Sequence, residues 1–435
     1  MVEVNFKFFL ISSFFFLIIF GRVLVDPACA SLPWQDHKIR VSVYVVALDG
    51  VEAREVANVT RVVEGVRGAV EALNKNNLTI ELPFLRYWKN FSKYFLHKGE
   101  GAPPFDDMTY VYASFPANAS LHIINEWDDY RNVVEHSVET IIVNAHGAVL
   151  PVPNGYTKEA WTDKIAEAML LRNVTWVHVG GYPLYYAWRQ GASTAEHWGK
   201  TAFQRLMQHI NKGNVRIPPY TGTEVAAITS RAEIDLRHTW RLIYEAMAVT
   251  NNYPLTVQDF KEHEAFPIWT LGNYYAGVAL AFKTQANTTS HGFYVHIGTN
   301  QTFGEVPGGL EPTDADFYRG YIGGATGLWI LVSRTARETL IVETETLIQK
   351  AIEEGRTKGL QEAQNHLQYA KHLNQLYFGT EFFVYAYEAM LAASTAQKPK
   401  SDPLPLLFTG MSLSIIAIIS GAILYKRKNN KEESM

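Results

Sequence analysis

The chain has almost no cysteine: Cys29 is the only one among its 435 residues. It lies in an N-terminal segment that the sequence predicts to be removed. A chain without a thiol forms no disulfides, so its stability has to come from a large hydrophobic core. The same lack excludes a cysteine nucleophile from the mature protein.

An excess of basic charge is also missing. The sequence has 39 Lys and Arg against 43 Asp and Glu, which gives a net charge of -4. Nucleic-acid-binding domains usually carry a basic face, so no nucleic-acid partner is predicted. With 47% hydrophobic and 19% charged residues, the composition is that of a folded protein and excludes extended disorder.

Motifs for cofactors are absent as well. The sequence contains no P-loop, no dinucleotide-binding fingerprint and no metalloprotease helix, and therefore predicts no cofactor and no metal site. The neighbours Glu262, His263 and Glu264 contain metal-ligating groups, but such a triplet is more often a solvated turn.

The first thirty residues have the pattern of a signal peptide. Lys7 precedes a mainly apolar run at residues 8–20, and small residues surround Cys29 before Ser31. This order predicts a signal peptide at 1–30 that is cleaved before Ser31. The alternative is an N-terminal anchor helix that stays uncut.

The other end predicts a membrane anchor. Residues 406–425 carry no charge, and about 20 such residues suffice to span a bilayer of about 30 Å. Basic residues follow in the tail at 426–435. The positive-inside rule then predicts a single-pass cell-membrane protein, with an extracellular ectodomain, a cytoplasmic C-terminus and the lipid bilayer as partner. A buried core helix is the alternative.

Acceptor motifs for N-glycosylation are spread between these two ends, and none occurs in the tail. This distribution agrees with an exported glycoprotein. The predicted glycosylation sites are Asn58, Asn77, Asn90, Asn118, Asn173, Asn287 and Asn300.

Residues 39–334 alternate strand-like and helix-like runs. Apolar β-branched residues dominate 39–48, apolar residues at helical spacing follow over 52–73, and continuous apolar strands recur at 140–145 and 174–179. The pattern predicts an α/β ectodomain at 31–334, with a doubly wound, mostly parallel sheet of the flavodoxin-like type.

Glycine and proline become rare after this domain. Leucines and isoleucines at helical spacing predict a helical hairpin or stalk at 335–396, through which copies of the chain could associate. Residues 397–405 read as a stiff linker.

Three predicted strands end in polar or glycine-rich sequences. In an open α/β sheet, ligands bind beyond the carboxyl ends of the strands. His146 is the one residue among these ends that can act as acid or base near neutral pH, so it is the catalytic candidate. The alternative is that the glycines only end strands and His146 caps a turn. The predicted ligand-binding residues are Asn144, Gly147, Gly180, Gly181, Tyr182 and Asn300.

The order of these elements resembles the class I glutamine amidotransferase-like fold, including its trehalose-utilisation-type relatives. The resemblance covers about residues 39–334 and rests on the His-Gly loop over 140–154 and the strand into Gly-Gly over 174–183. Catalytic members of the family place a cysteine in a tight turn of the form Gly-x-Cys-x-Gly. This chain has Gly180, Gly181 and Tyr182 there instead, so the family's Cys-His-Glu mechanism is not carried over.

Aromatic residues follow the Gly-Gly turn: Tyr182, Tyr185, Tyr186 and Trp188, with Trp161 and Trp198 on neighbouring helices. Their faces would suit sugar rings or other flat ligands. The alternative is packing of helices on the sheet.

Two functions therefore remain open. One is a non-catalytic domain with a ligand-binding or structural cell-envelope role, for a carbohydrate or another small ligand. The other is an extracellular hydrolase of a carbohydrate or amide that uses His146 with Asp49 or Glu126.

Overall fold

The computed structural model describes most of the chain between residues 38 and 398. The described residues are 38–83, 110–212, 217, 226–229, 232, 235–240, 248–250, 253–256, 260, 264–284, 291–298, 301–303, 315–374 and 381–398.

These residues form fifteen strands and seven helices. The strands are β1 (Ile39–Val46), β2 (Leu78–Pro83), β3 (Tyr110–Phe115), β4 (Ala117–Ile124), β5 (Ile141–Asn144), β6 (Val149–Val152), β7 (Thr175–Val179), β8 (Tyr186–Arg189), β9 (Glu196–His197), β10 (Ala226–Ile228), β11 (Ala248–Thr250), β12 (Ala265–Leu271), β13 (Tyr274–Ala281), β14 (Phe293–Ile297) and β15 (Gln301–Phe303). The helices are α1 (Val59–Asn76), α2 (Trp127–His136), α3 (Lys158–Arg172), α4 (Thr201–Gln208), α5 (Ala315–Glu353), α6 (Leu360–Asn374) and α7 (Glu381–Thr395).

A mixed sheet of ten strands forms the centre of the fold, in the order β15-β11-β10-β12-β13-β14-β7-β5-β1-β4. The five strands from β14 to β4 are parallel to one another. Counted along the chain, these five have the order 2-1-3-4-5, which is also the order of the flavodoxin-like doubly wound sheet. Every residue of β5 and β7 is buried, because helices cover both faces of the parallel half.

The other half of the sheet is antiparallel. The strand β13 pairs antiparallel with β14, and β12, β10, β11 and β15 continue in the same way. The prediction of a mostly parallel sheet is therefore wrong. The cause is local: only Gly272 and Asn273 separate β12 from β13, and a two-residue connection can join only antiparallel strands.

Two hydrophobic cores lie on opposite faces of the sheet. The helices α1 and α5 cover one face, where Val66 and Trp329 are fully buried. The helices α2, α3 and α4 cover the other, around Tyr130, Trp161 and Phe203. The high aromatic content therefore serves the core to a large extent, which compensates for the lack of disulfides.

Side chains at the helix ends explain where two of these helices begin. The Asn58 side chain accepts a hydrogen bond of 3.2 Å from the backbone N–H of Arg61 at the start of α1. Thr157 does the same for Ala160 in α3, at 3.1 Å. Both are N-caps that use a common N-capping residue.

The helix α5 runs without a break through the predicted domain boundary at 334/335. Two further helices, α6 and α7, follow it, and α7 packs against the domain. Phe383 of α7 contacts Phe115 of β3 and Trp329 of α5, with ring centroids 5.4 and 6.5 Å apart. The part of 335–396 that includes Leu340 and Phe383 thus continues the core on the α1/α5 face, whereas Ile348, Leu360 and Ala393 belong to a separate cluster.

No helix in the described part of the chain is long and apolar enough to cross a membrane. The longest, α5, buries its apolar first half against the sheet and carries charges such as Arg334 and Glu338 beyond it. The segments predicted as signal peptide, transmembrane helix and basic tail lie outside the described residues. We therefore withdraw four predictions: the transmembrane helix, the lipid-bilayer partner, the extracellular ectodomain and the single-pass cell-membrane location with a cytoplasmic C-terminus.

The close packing of α1 on α5 gives the first testable prediction. A Cβ atom at Gly65 would overlap the carbonyl oxygen of Phe317, whereas one at Gly68 would lie 3.3 Å from a side-chain atom of Tyr321. Both substitutions by alanine add similar helix propensity. We expect Gly65→Ala to lower the free energy of unfolding by about 2 kcal/mol, because the two backbones must separate. The matched control, Gly68→Ala, should change it by less than about 1 kcal/mol. Urea unfolding measures both, and equal effects would contradict this packing.

Candidate functional site

The carboxyl ends of the parallel strands bring polar residues into one row. Asn144 at the end of β5 is in register with His178 of β7, and His178 is in register with His296 of β14. Side chains in register on adjacent parallel strands point to the same face of the sheet. These three residues lie at the carboxyl edge of the sheet, where open α/β sheets bind ligands and where the sequence predicts them.

The structure places the catalytic candidate His146 in the turn after β5, with only 1% of its surface exposed. Its Nε2 accepts a hydrogen bond of 2.9 Å from the backbone N–H of Leu48. Burial lowers the pKa of His146 to about 4. The imidazole is therefore neutral near pH 7, with the nitrogen that accepts from Leu48 unavailable to a substrate proton.

Asn144 uses its whole side chain to shape the same turn. Its Oδ1 accepts from the backbone N–H of His146 at 3.2 Å, and its Nδ2 donates to the carbonyl oxygens of Gly147 and Val149 at 3.4 and 2.8 Å. The side chain is fully buried. In this arrangement Asn144 holds the β5–β6 turn, and its polar atoms face the protein.

Residues 47–58, which join β1 to α1, lie over the three predicted glycines; we call this segment the covering loop. A Cβ atom at Gly147 would overlap the carbonyl oxygen of Arg54. At Gly180 it would lie 2.6 Å from the carbonyl oxygen of Glu55, and at Gly181 it would lie 2.5 Å from the Glu55 side chain. All three glycines also have positive φ, so glycine is required for the backbone angle and for the space. The crevice that the sequence predicts here is filled by the covering loop.

A buried ion pair in α5 holds the covering loop in place. Asp316 and Arg319 lie 2.6 Å apart and are each about 3% exposed. The Asp316 carboxylate accepts from the backbone N–H groups of Ala57 and Asn58, at 2.9 and 2.7 Å. Arg319 donates to the carbonyl oxygen of Glu55 at 3.0 Å. These bonds hold Glu55 at a φ of 62°, a region that costs a non-glycine residue energy.

Four tyrosines line the outer side of the same edge, and we call them the tyrosine row: Tyr182, Tyr185, Tyr186 and Tyr253. All four are partly exposed. Neighbouring ring centroids are 4.9 Å apart for Tyr253 and Tyr182, 5.7 Å for Tyr182 and Tyr185, and 5.3 Å for Tyr185 and Tyr186. Burial and the nearby Glu55 raise the pKa of Tyr253. The row presents four neighbouring aromatic rings at the edge of the sheet.

Charged side chains border the tyrosine row. The Arg54 guanidinium lies 4.4 Å above the Tyr186 ring and forms an ion pair of 2.8 Å with Glu52. The Glu55 carboxylate accepts from the Tyr253 hydroxyl at 2.7 Å. The exposed His197 packs edge-on against Tyr185, with centroids 4.9 Å apart. Aromatic rings and planar polar groups thus occur together along this edge.

The aromatic residues that the sequence groups together divide into two sets. Trp161 is fully buried beside Tyr130, and Trp188 is 6% exposed. Trp198 has an intermediate exposure, and the Lys158 ammonium lies 5.3 Å from its ring. Packing explains the buried tryptophans, whereas the tyrosines after the Gly-Gly turn remain accessible.

The remaining predicted residues have different environments. Asn58 and Asn118 are exposed, and Asn77 is half-buried. Asn173 is 8% exposed and donates from Nδ2 to Glu139 at 3.2 Å, so the nitrogen that would carry a sugar is already engaged. Outside the described residues lie Asn90, Asn287 and Asn300, the last of which is also a predicted ligand-binding residue.

Comparisons of the chain with models of protein families, with curated proteins and with solved structures found no match. The resemblance to the class I glutamine amidotransferase-like fold therefore stays a prediction, and function has to be argued from the geometry of the site.

From the covering loop, sequence reasoning named only Asp49, as a possible partner of His146. It assigned residues 52–73 to one helix, because Val56 continues the helical spacing of the apolar residues in α1. A usable signal was present: Glu52, Arg54 and Glu55 lie in the connection after β1, and the carboxyl end of β1 reaches the same edge. Tyr253 has no comparable signal, since it is far from the other tyrosines in sequence.

The buried His146 gives a prediction about pH. Its pKa is about 4 in the folded protein and about 6.5 in the unfolded chain. Between these two values, the imidazole binds a proton in the unfolded chain but not in the folded protein. The stability that depends on a neutral, buried His146 is therefore complete above pH 6.5 and is lost as the pH falls towards 4. Between pH 7.5 and 5.5, His146 should account for a loss of about 1 kcal/mol in the free energy of unfolding.

The variant His146→Gln tests this, because its amide oxygen can accept from Leu48 without titrating. Its unfolding free energy should fall by about 1 kcal/mol less than that of the unchanged protein over this pH range. The control is His122→Gln, at an exposed position of β4, which should retain the full loss. Urea unfolding at both pH values measures the difference, and an unchanged loss in His146→Gln would contradict the prediction.

Proposed function

We propose that this chain is a non-catalytic binding protein that holds a neutral saccharide on the tyrosine row. The observation that carries the proposal is the row itself: four partly exposed tyrosines in mutual contact at the carboxyl edge of a parallel sheet. Sugar rings have apolar C–H faces and polar edges. Tyrosines supply a matching combination of a large apolar face and a polar hydroxyl.

The environment of Gly181 argues against covalent catalysis. By the amidotransferase resemblance, the nucleophile would stand at this turn after β7. The Glu55 side chain occupies the space in which a side chain at position 181 would start. A nucleophile at this position would need the covering loop to move, and Asp316 and Arg319 tie that loop to α5.

The geometry also favours binding over the hydrolase alternative. A general base must reach the proton that it removes. His146 is buried and accepts from Leu48, whereas its predicted partners Asp49 and Glu126 are exposed. A hydrolytic water would therefore have to enter the protein interior to contact the imidazole.

The charges at the border of the row indicate a neutral ligand. Glu52 and Arg54 neutralise each other at 2.8 Å, and the Glu55 carboxylate accepts from Tyr253. An acidic sugar would have to displace Glu52 from Arg54 and would meet two carboxylates nearby. Hydroxyl groups can bond to the same side chains without separating the ion pair.

Substitution of a ring in the row should weaken saccharide binding. We expect Tyr185→Ala to raise the Kd for a neutral oligosaccharide about tenfold, which corresponds to about 1.4 kcal/mol for the loss of one stacked ring. An array of neutral and acidic oligosaccharides identifies the ligand, and isothermal titration calorimetry then gives the Kd.

The control is Tyr369→Ala, which removes a 47% exposed tyrosine that packs on Tyr385 of α7. This variant should bind as tightly as the unchanged protein. Binding of no saccharide, or an equal loss in Tyr369→Ala, would refute the proposal. Chromatography of the bound saccharide after long incubation should recover it intact, and released sugar would show catalysis.

A further inference from the structure

Two buried histidines lie directly behind the tyrosine row. His178 on β7 and His296 on β14 are in register, and neither has any exposed surface. Their imidazole rings stack with centroids 5.4 Å apart and planes within 7° of parallel. Each is the second-to-last residue of its strand. The two lie next to the loops that carry Tyr182 and Tyr253.

Each histidine bonds to the backbone of one of these loops. His178 Nε2 lies 3.2 Å from the carbonyl oxygen of Gly181, and His296 Nε2 lies 2.8 Å from that of Tyr253. A carbonyl oxygen can only accept, so in both rings the proton must be on Nε2. The two Nδ1 atoms are buried and have no hydrogen-bond partner among the described residues.

Burial keeps both rings neutral. It lowers the pKa of His178 to about 4 and that of His296 to about 3. The positive charge of Arg319 lowers the pKa of His178 further, and repulsion between the two rings when both are charged lowers the pKa of His296. Each imidazole therefore acts as a fixed neutral donor from Nε2 over the physiological pH range.

The bonded carbonyls control where two rings of the row stand. Gly181 immediately precedes Tyr182, and the second bond is made to Tyr253 itself. Tyr253 also donates its backbone N–H to the carbonyl oxygen of Gly298, where a Cβ atom would overlap both the His296 ring and the Tyr253 carbonyl oxygen. The Tyr182 and Tyr253 rings meet at 84° with centroids 4.9 Å apart. This perpendicular contact joins Tyr182 and Tyr253, which are 71 residues apart in the chain. His178 and His296 hold the backbone of both loops from the protein interior.

We propose that His178 and His296 are positioning residues that set the mutual orientation of Tyr182 and Tyr253 through their Nε2–H donors. The role in saccharide binding rests on the function proposed above, whereas the orientation of the two rings does not depend on any ligand. At metal sites, the hydrogen-bond partners of the ligands affect affinity or activity by about 10- to 100-fold, and binding residues in general depend on such support for their geometry.

The tautomers can be measured on the unchanged protein. Two-bond ¹H–¹⁵N correlation spectra of the histidine rings at pH 7 should give both His178 and His296 as the Nε2–H form, with single-site glutamine variants for assignment. A Nδ1–H form or a charged ring at either position would overturn the proposal, because the donor to the loop would be lost. This measurement does not require a ligand.

A matched pair of variants tests the consequence. Gln and Met have similar length, but only Gln carries a donor near the position of Nε2. With 3-fluorotyrosine in the protein, His296→Met should shift the ¹⁹F signals of Tyr253 and Tyr182, and His296→Gln should restore them. Tyr253→Phe identifies the first signal. Saccharide affinity should fall about tenfold in His296→Met and return to within about threefold in His296→Gln.

The outcomes separate the two proposals. If the unchanged protein binds no saccharide, the proposed function fails, and the tautomers and ¹⁹F signals still decide the positioning role. If His296→Met folds with unchanged ¹⁹F signals, the positioning role is refuted even where saccharide binds. If His296→Met does not fold, the same pair at His178 and the tautomers decide the matter.

Discussion

The buried ion pair between Asp316 and Arg319 connects the first turn of α5 to the covering loop, and the carboxyl edge of the sheet depends on this connection. Replacing a buried pair by apolar residues is often neutral or stabilising, so its presence is a weak argument for stability alone. Here each partner also bonds to the backbone of residues 55–58. The pair thereby fixes a strained Glu55 above Gly180 and Gly181, and this closes the place where a side chain after β7 could react.

The elements that sequence patterns predicted well are those with two buried faces. The strands β5 and β7 read as continuous apolar runs, and every residue in them is buried. The edge strand β4 was missed because its burial alternates and it contains exposed polar residues such as Ser120 and His122. The antiparallel half was misassigned for a different reason. Strand direction depends on which strand pairs with which, and short strands such as β10 and β11 carry little of that information in their own sequences.

The sequence could indicate which edge of the sheet to examine, but not what occupies it. From Asn144 and Gly180 alone, the rule that ligands bind beyond the carboxyl ends of parallel strands pointed to the edge where we propose the site. Whether this edge is open depends on a loop from another part of the chain. Val56 continued the helical spacing and concealed that loop, and Tyr253 reaches the row only through the fold. Similarly, the sequence could not show that His146 is buried, and a general base must reach the proton that it removes.

The covering loop both fills the predicted crevice and contacts the tyrosine row. The covering loop places Glu55 where it accepts from Tyr253, and it places Arg54 above Tyr186. Behind them, His178 and His296 fix the backbone of the same tyrosine loops. A ring that is already held loses little conformational entropy when a ligand stacks on it, and this loss is a main cost of binding. The interactions that exclude a nucleophile after β7 therefore also preorganise the tyrosines, which supports the binding role that we propose.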